Sequence, residues 1–126
     1  MIMSLLLSNQ VEIIDNTLLF CLDKNEPLLN LEGQLDNRST GNLELDSYLS
    51  SLSTDYIIDR WLISATSSDH SEDIYLDHIY RIVFNNNTSS LSDIKFDLKK
   101  VSSVYGVEYE YIQRPLYEPN DPRYSQ

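Results

Sequence analysis

Between Ser89 and Gln113 the hydrophobic pattern changes period once, and the change predicts a helix followed by a strand. Apolar residues recur at Leu91, Ile94, Leu98, Val101 and Tyr105. Steps of three and four place them on one helical stripe. Ser90 stands where an N-cap hydroxyl accepts from a first-turn amide, with Asp93 at the positive end of the helix dipole. Lys99 and Lys100 fall near the negative end, Asp97 is one turn from Lys100, and Gly106 stands where a left-handed C-cap is expected. Phe96 falls off the stripe. Val107-Glu108-Tyr109-Glu110-Tyr111 then alternates apolar and charged residues, the mark of a half-buried strand.

The same reading runs back along the chain. Met3–Leu7 is a short apolar candidate strand. Val11–Asp15 and Thr17–Leu22 are rich in strand formers, with Asn16 between them, and predict either one bent strand or a tight hairpin. Residues 23–42 contain Pro27, Gly33, Gly41 and the polar run DNRSTGN, which predict a loop. Twenty residues is long for a compact domain, and Leu28, Leu29, Leu31 and Leu35 imply that part of it is packed down. Leu45, Tyr48, Leu49 and Leu52 have helical spacing behind a cap at Asn42, so residues 43–52 are expected to form a helix. Residues 55–65 carry enough aromatic and β-branched side chains to favour strand over a competing helical face at Ile58, Trp61, Leu62 and Ala65.

Residues 66–72 read as a polar turn. From Asp73 to Phe84 the even positions from Ile74 to Phe84 share one face, with Tyr75, Asp77, Ile79, Arg81 and Val83 on the other. A strand apolar on both faces belongs inside its sheet. Residues 114–126 hold three prolines and read as an extended tail. The resulting order over residues 11–113 is βαββαβ, as in ferredoxin-like folds. It predicts one α+β domain with an antiparallel sheet and two helices on one face. The alternative is another α+β sandwich, with an N-terminal meander and a helical 55–65 segment. Element order alone carries the ferredoxin-like reading, and no family motif accompanies it.

Composition narrows the partners. The chain has 126 residues and a net charge of −11, with −7 in residues 1–60 and −4 in residues 61–126. That field repels phosphate backbones and anionic membranes, and favours a basic protein partner over nucleic acid or a membrane. The single cysteine, Cys21, sits in the apolar run TLLFCL and permits no intrachain disulfide, which fits reducing cytosol. MIMSLLLSNQ has no basic start and does not read as a signal peptide. A cytoplasmic chain would leave the sequons at Asn37, Asn86 and Asn87 unused.

Candidate chemistry is sparse. Asp69, His70, Glu72 and Asp73 form the densest polar cluster, with Asp77 and His78 behind it. A metal needs ligands converging at about 2 Å, which a turn followed by a strand supplies with difficulty, so a solvated acidic turn is the plainer reading. His78, on an apolar strand face, reads as a core histidine, with an acid–base or sensing role as the rival. With three glycines and no nucleophile motif or CxxC pattern, neither a phosphate loop nor an enzyme nor a cofactor is indicated.

Nine tyrosines are present, five of them in the last 22 residues. The sheet face away from the helices is expected to be open, and Tyr, Trp and Arg dominate binding energy at protein interfaces. Arg60, Trp61, Tyr75, Arg81, Tyr109 and Tyr111 are the candidate contacts, with Arg114 and Tyr117 from the tail. These residues predict a small acidic, non-catalytic interaction module that binds a larger protein or a second copy of itself. An acidic mimic of nucleic acid and a His78-based ligand sensor or enzyme are the alternatives.

Overall fold

The computed structural model describes residues 11–32, 39–85 and 90–113. The short strand expected at Met3–Leu7, Leu35, the three sequons and the Pro/Tyr tail lie outside the described residues. Strand β1 is Val11–Leu22, helix α1 Leu43–Ser50, and strand β2 Tyr56–Arg60. Two short strands follow, β3 at His70–Ser71 and β4 at Ile74–Tyr75. After one 3-10 turn at Leu76–His78 come β5 at Ile79–Phe84, helix α2 at Leu91–Leu98 and β6 at Val104–Gln113. The protein is α+β. Four strands form one antiparallel sheet in the order β2-β5-β1-β6, and β3 pairs with β4 in a separate hairpin.

The chain falls into two compact units. One runs from Asp15 to Glu110. The other includes the described residues 11–14 and 111–113, which have strand geometry and expose Ile13, Tyr111 and Ile112.

Within the larger unit, the core follows from strand periodicity. Leu18, Phe20 and Leu22 of β1, Tyr56 and Ile58 of β2, Tyr80, Ile82 and Phe84 of β5, and Val107 of β6 are buried in one cluster. The register sets Leu18 beside Ile82, Phe20 beside Tyr80, and Ile58 beside Ile82, so alternate residues build one apolar face. Leu45 and Leu49 of α1 and Ile94 and Leu98 of α2 belong to the same cluster. Burying four such side chains contributes about 2 kcal/mol each.

β1 is one continuous strand, the first of the two expected alternatives. Asn16 adopts a left-handed backbone with φ 58°, which Asn tolerates better than most residues. In α1 the Asn42 side chain accepts from the Leu45 amide at 3.1 Å, the cap the sequence predicts. Residues 56–60 are strand, whereas Trp61 to Ala65 leave the sheet through a turn closed by the Ala65 amide on the Leu62 carbonyl.

Several expectations fail for identifiable reasons. Helix α2 ends at Leu98, short of the predicted Tyr105. Beyond it the Lys100 and Val101 amides bond carbonyls three residues back, the Ser102 hydroxyl donates to Glu44, the Ser103 hydroxyl to Asn42, and the Ser103 carbonyl accepts from the Asp23 amide, so the chain has turned away before β6 begins at Val104. Gly106 is consequently a strand residue, not a C-cap. Ser90 occupies the N-cap position, yet its hydroxyl pairs with that of Ser92 and makes no cap bond.

Nor does residues 73–84 form a single strand. The Leu76 amide donates to the Asp69 carbonyl, closing the β3–β4 hairpin, and the 3-10 turn then separates β4 from β5. β5 itself lies between β2 and β1, inside the sheet as expected. The predicted polar turn at 66–72 is partly hairpin strand, with Glu72 at φ 56° in its bend.

Candidate functional site

Alternation that buries Tyr80, Ile82 and Phe84 turns Ile79, Arg81 and Val83 to the opposite side of the sheet. The register places Leu19 and Asp59 on either side of Arg81, Thr17 and Ile57 on either side of Val83, and Cys21 beside Ile79. Ile57 and Val83 remain exposed, while Leu19 and Ile79 are half-buried.

Across this outer face Arg81 reaches Glu110 of β6. Its Nε donates to Glu110 Oε1 at 2.6 Å and its Nη2 to Oε2 at 2.5 Å, a two-pronged guanidinium–carboxylate pair. The Trp61 indole donates to the same carboxylate at 3.4 Å. The Arg81 hydrogen bonds hold the Glu110 carboxyl below its ordinary range, and Glu110 in turn raises the guanidinium. The Glu110 side chain is 12% exposed and that of Arg81 37%, so the pair is firmest at the glutamate.

A cleft of about 280 Å³ adjoins this triad. Leu19, Cys21, Trp61, Ile74, Ile79 and Val107 line it, so the turn after β2 and the hairpin supply walls above the strands.

The expected contact residues therefore separate. Trp61 and Arg81 meet through Glu110. Arg60 shares the register row of buried Tyr80, and its Nη2 donates to the Ala65 carbonyl at 2.9 Å. Tyr75 stacks on His70 at 4.4 Å between ring centroids and meets His78 edge-on at 6.0 Å. Tyr109 packs against the core with the Lys95 ammonium 5.3 Å from its ring centroid. Tyr111 is exposed and belongs to the smaller unit. Arg114 and Tyr117 lie outside the described residues.

Glu110 was missed by sequence reading. The available signal is the shared parity of Glu108 and Glu110, which puts two acids on one side of β6, a strand two places from that of Arg81 in the sheet.

His78 has a different surrounding from the one its strand assignment implied. Asp77 and His78 do not diverge: Nδ1 lies 2.7 Å from Asp77 Oδ1, and Nε2 lies 2.8 Å from the Glu26 carbonyl oxygen. The His78 side chain is 10% exposed and that of Asp77 6%. Both ring nitrogens are engaged, and the histidine clamps residue 26 of the long loop to the end of the sheet. Three residues on, the Leu29 amide donates to the buried Tyr80 hydroxyl at 2.9 Å.

Cys21 lies on the outer side, across from Ile79, and its thiol donates to the Leu22 carbonyl at 3.4 Å. Burial pushes this thiol up, against the thiolate that nucleophilic chemistry requires. Among the described residues, no group of three or more His, Cys, Asp or Glu side chains is arranged to hold a metal ion. No described helix is long and apolar enough to cross a membrane.

No family model, curated protein or solved structure matches the chain.

Proposed function

We propose that this chain is a small, acidic, non-catalytic interaction module that docks on a larger protein through its outer sheet face. The observation that carries the reading is the Trp61–Glu110–Arg81 assembly beside an apolar cleft and the exposed Ile57 and Val83. An aromatic ring and an Arg fork held rigid by a shared carboxylate are the kind of pre-ordered contacts that dominate protein interfaces. The charge of −11 favours a basic partner. Cytosolic residence belongs to the same proposal and rests on the lone cysteine.

We also place the fold with the ferredoxin-like plan. In the order β2-β5-β1-β6, the β1–α1–β2 crossover skips over β5 and the β5–α2–β6 crossover skips over β1. That interleaving is what the split βαβ plan produces. The common core cluster of Leu45, Leu49, Ile94 and Leu98 supports both helices lying on one face. The ligand-sensor or enzyme reading ranks behind, because both nitrogens of His78 already have partners.

The test is affinity capture from a native extract with the parent chain and with an Ile57→Glu/Val83→Glu variant whose circular dichroism matches the parent. One dominant protein captured by the parent and lost with the variant is the expected result. No captured protein, or the same protein on both, overturns the proposal.

A further inference from the structure

Resting on that reading, we infer that the cleft between the outer face and the β3–β4 hairpin receives a lysine side chain of the partner, its stem in the cleft and its ammonium at Glu108. Small-molecule sites usually occupy about 300–1,000 Å³. At about 280 Å³ this cleft is at the lower limit for a whole ligand and sized for a side chain.

Its wall is apolar, formed by Leu19, Ile74 and Ile79 with the Trp61 ring, and Glu108 lines it as an exposed residue. A guest must therefore offer methylenes along most of its length. The charges on this side are unbalanced. Arg81, the base of the outer face, is bound on both prongs by Glu110. Glu108 has the opposite situation: no base pairs with it among the described residues.

An anionic guest would meet a net negative surface, and a purely apolar guest would leave that carboxylate unanswered. Lysine combines a long aliphatic stem with a compact cation that stays hydrated at the rim. Arginine suits the site less well, because its planar fork calls for two acceptors aligned together and Glu108 is one carboxylate on an otherwise apolar wall. The indole of Trp61 adds an aromatic surface favourable to a cation.

The experiment is an NMR titration of the full chain with blocked lysine (N-acetyl-lysine methylamide), and in parallel with blocked norleucine, which has an aliphatic side chain and no charge. Saturable shifts at the Trp61 indole N–H and the Leu19 and Ile79 methyls are expected with lysine, in the millimolar range. Norleucine is expected to bind about fivefold more weakly, as an exposed ion pair implies. Glu108→Gln, a surface change, should erase that preference without altering the fold.

Equal affinity for the two probes, lysine shifts centred elsewhere, or a preference that survives Glu108→Gln would overturn the inference. So would shifts at these residues that grow with protein concentration alone, which would assign the face to a second copy of the chain. A partner captured by the parent without lysine selectivity in the cleft refutes this inference and leaves the interaction module standing. Lysine selectivity in a chain that captures no protein refutes the module, and with it the assignment of the lysine to a partner.

Discussion

Replacing Tyr80 by Phe removes one oxygen atom from the centre of the larger unit, and the structure fixes what that atom does. Tyr80 is fully buried on β5, stacked on Phe20 at 5.6 Å between ring centroids. Its hydroxyl accepts the Leu29 amide at 2.9 Å. Phenylalanine keeps the ring, the stacking and nearly all of the volume, so no packing loss enters the result. What remains is a backbone N–H near the core without its acceptor. An unsatisfied buried donor costs about 1–3 kcal/mol. Leu29 is 9% exposed, at the edge of the core, which sets the expectation near the middle at about 2 kcal/mol.

For a unit of this size that is a fall in Tm of roughly 8 °C. Urea unfolding should show a lower midpoint with an unchanged slope, since the surface exposed on unfolding is the same. Hydrogen exchange at the Leu29 amide should quicken by about 30-fold if the loop opens by the same free energy. A Tyr80→Phe variant within about 0.5 kcal/mol of the parent, with Leu29 exchange unchanged, would refute the assignment.

The second anchor of the loop makes the test sharper. His78 holds the Glu26 carbonyl three residues away, so both contacts order the same stretch of chain. Whichever is broken first releases part of what the other restrains. The Tyr80→Phe/His78→Ala pair should therefore lose less stability than the sum of the singles, with a coupling of at least about 0.5 kcal/mol. Strict additivity would mean that the loop is held elsewhere.

Three further predictions concern titration. A carboxyl held below its ordinary range stabilises the fold above the unfolded pKa and ceases to as pH falls through the folded one. Acid unfolding of the parent should thus steepen below about pH 4.5, the ordinary value for Glu110, and Glu110→Gln should flatten that limb in urea midpoints taken from pH 3 to 6. The Cys21 thiol is raised from its ordinary 9.0 chiefly by burial, so iodoacetamide at pH 8 should modify it at least tenfold more slowly than in urea. Equal rates would place the thiol at the surface. Tyr48 is pushed up to about 12, first by burial and then by Asp97, so stability should fall between pH 10 and 12, where the unfolded phenol ionises and the folded one does not. Its hydroxyl is buried without a partner, and Tyr48→Phe should weaken that alkaline limb while leaving neutral-pH stability equal or higher.

Local signals in the sequence proved as good as the distance over which they act. The Asn42 cap, the Leu45/Leu49 stripe and the Tyr80–Ile82–Phe84 alternation are settled within one helical turn or one strand, and each appears in the structure. The overrun of α2 shows the limit. Val101 and Tyr105 continue the spacing of the helix by coincidence, and only the Ser102 and Ser103 bonds to residues 44 and 42 reveal that the chain has already turned. Likewise, alternation through Asp73–Phe84 conceals the 3-10 turn, because a single turn between two strands shifts direction without disturbing the pattern of apolar residues. The loop anchors join residues about fifty positions apart, a separation no periodicity encodes.

The same distance dependence reversed the ranking of polar residues. Asp77 and His78 drew attention as chemistry because they are titratable neighbours near an apolar face. In the fold they satisfy each other and a loop carbonyl, which leaves neither ring nitrogen open to a substrate. Glu108 and Glu110 looked like the solvated half of an alternating strand. Yet the sheet order brings Glu110 within reach of Arg81 two strands away, and leaves Glu108 beside an apolar cleft with no base among the described residues to answer it. A polar group is available for recognition to the extent that the fold has not already supplied its partner, and by that criterion Glu108 on the outer face ranks ahead of His78 among the described residues.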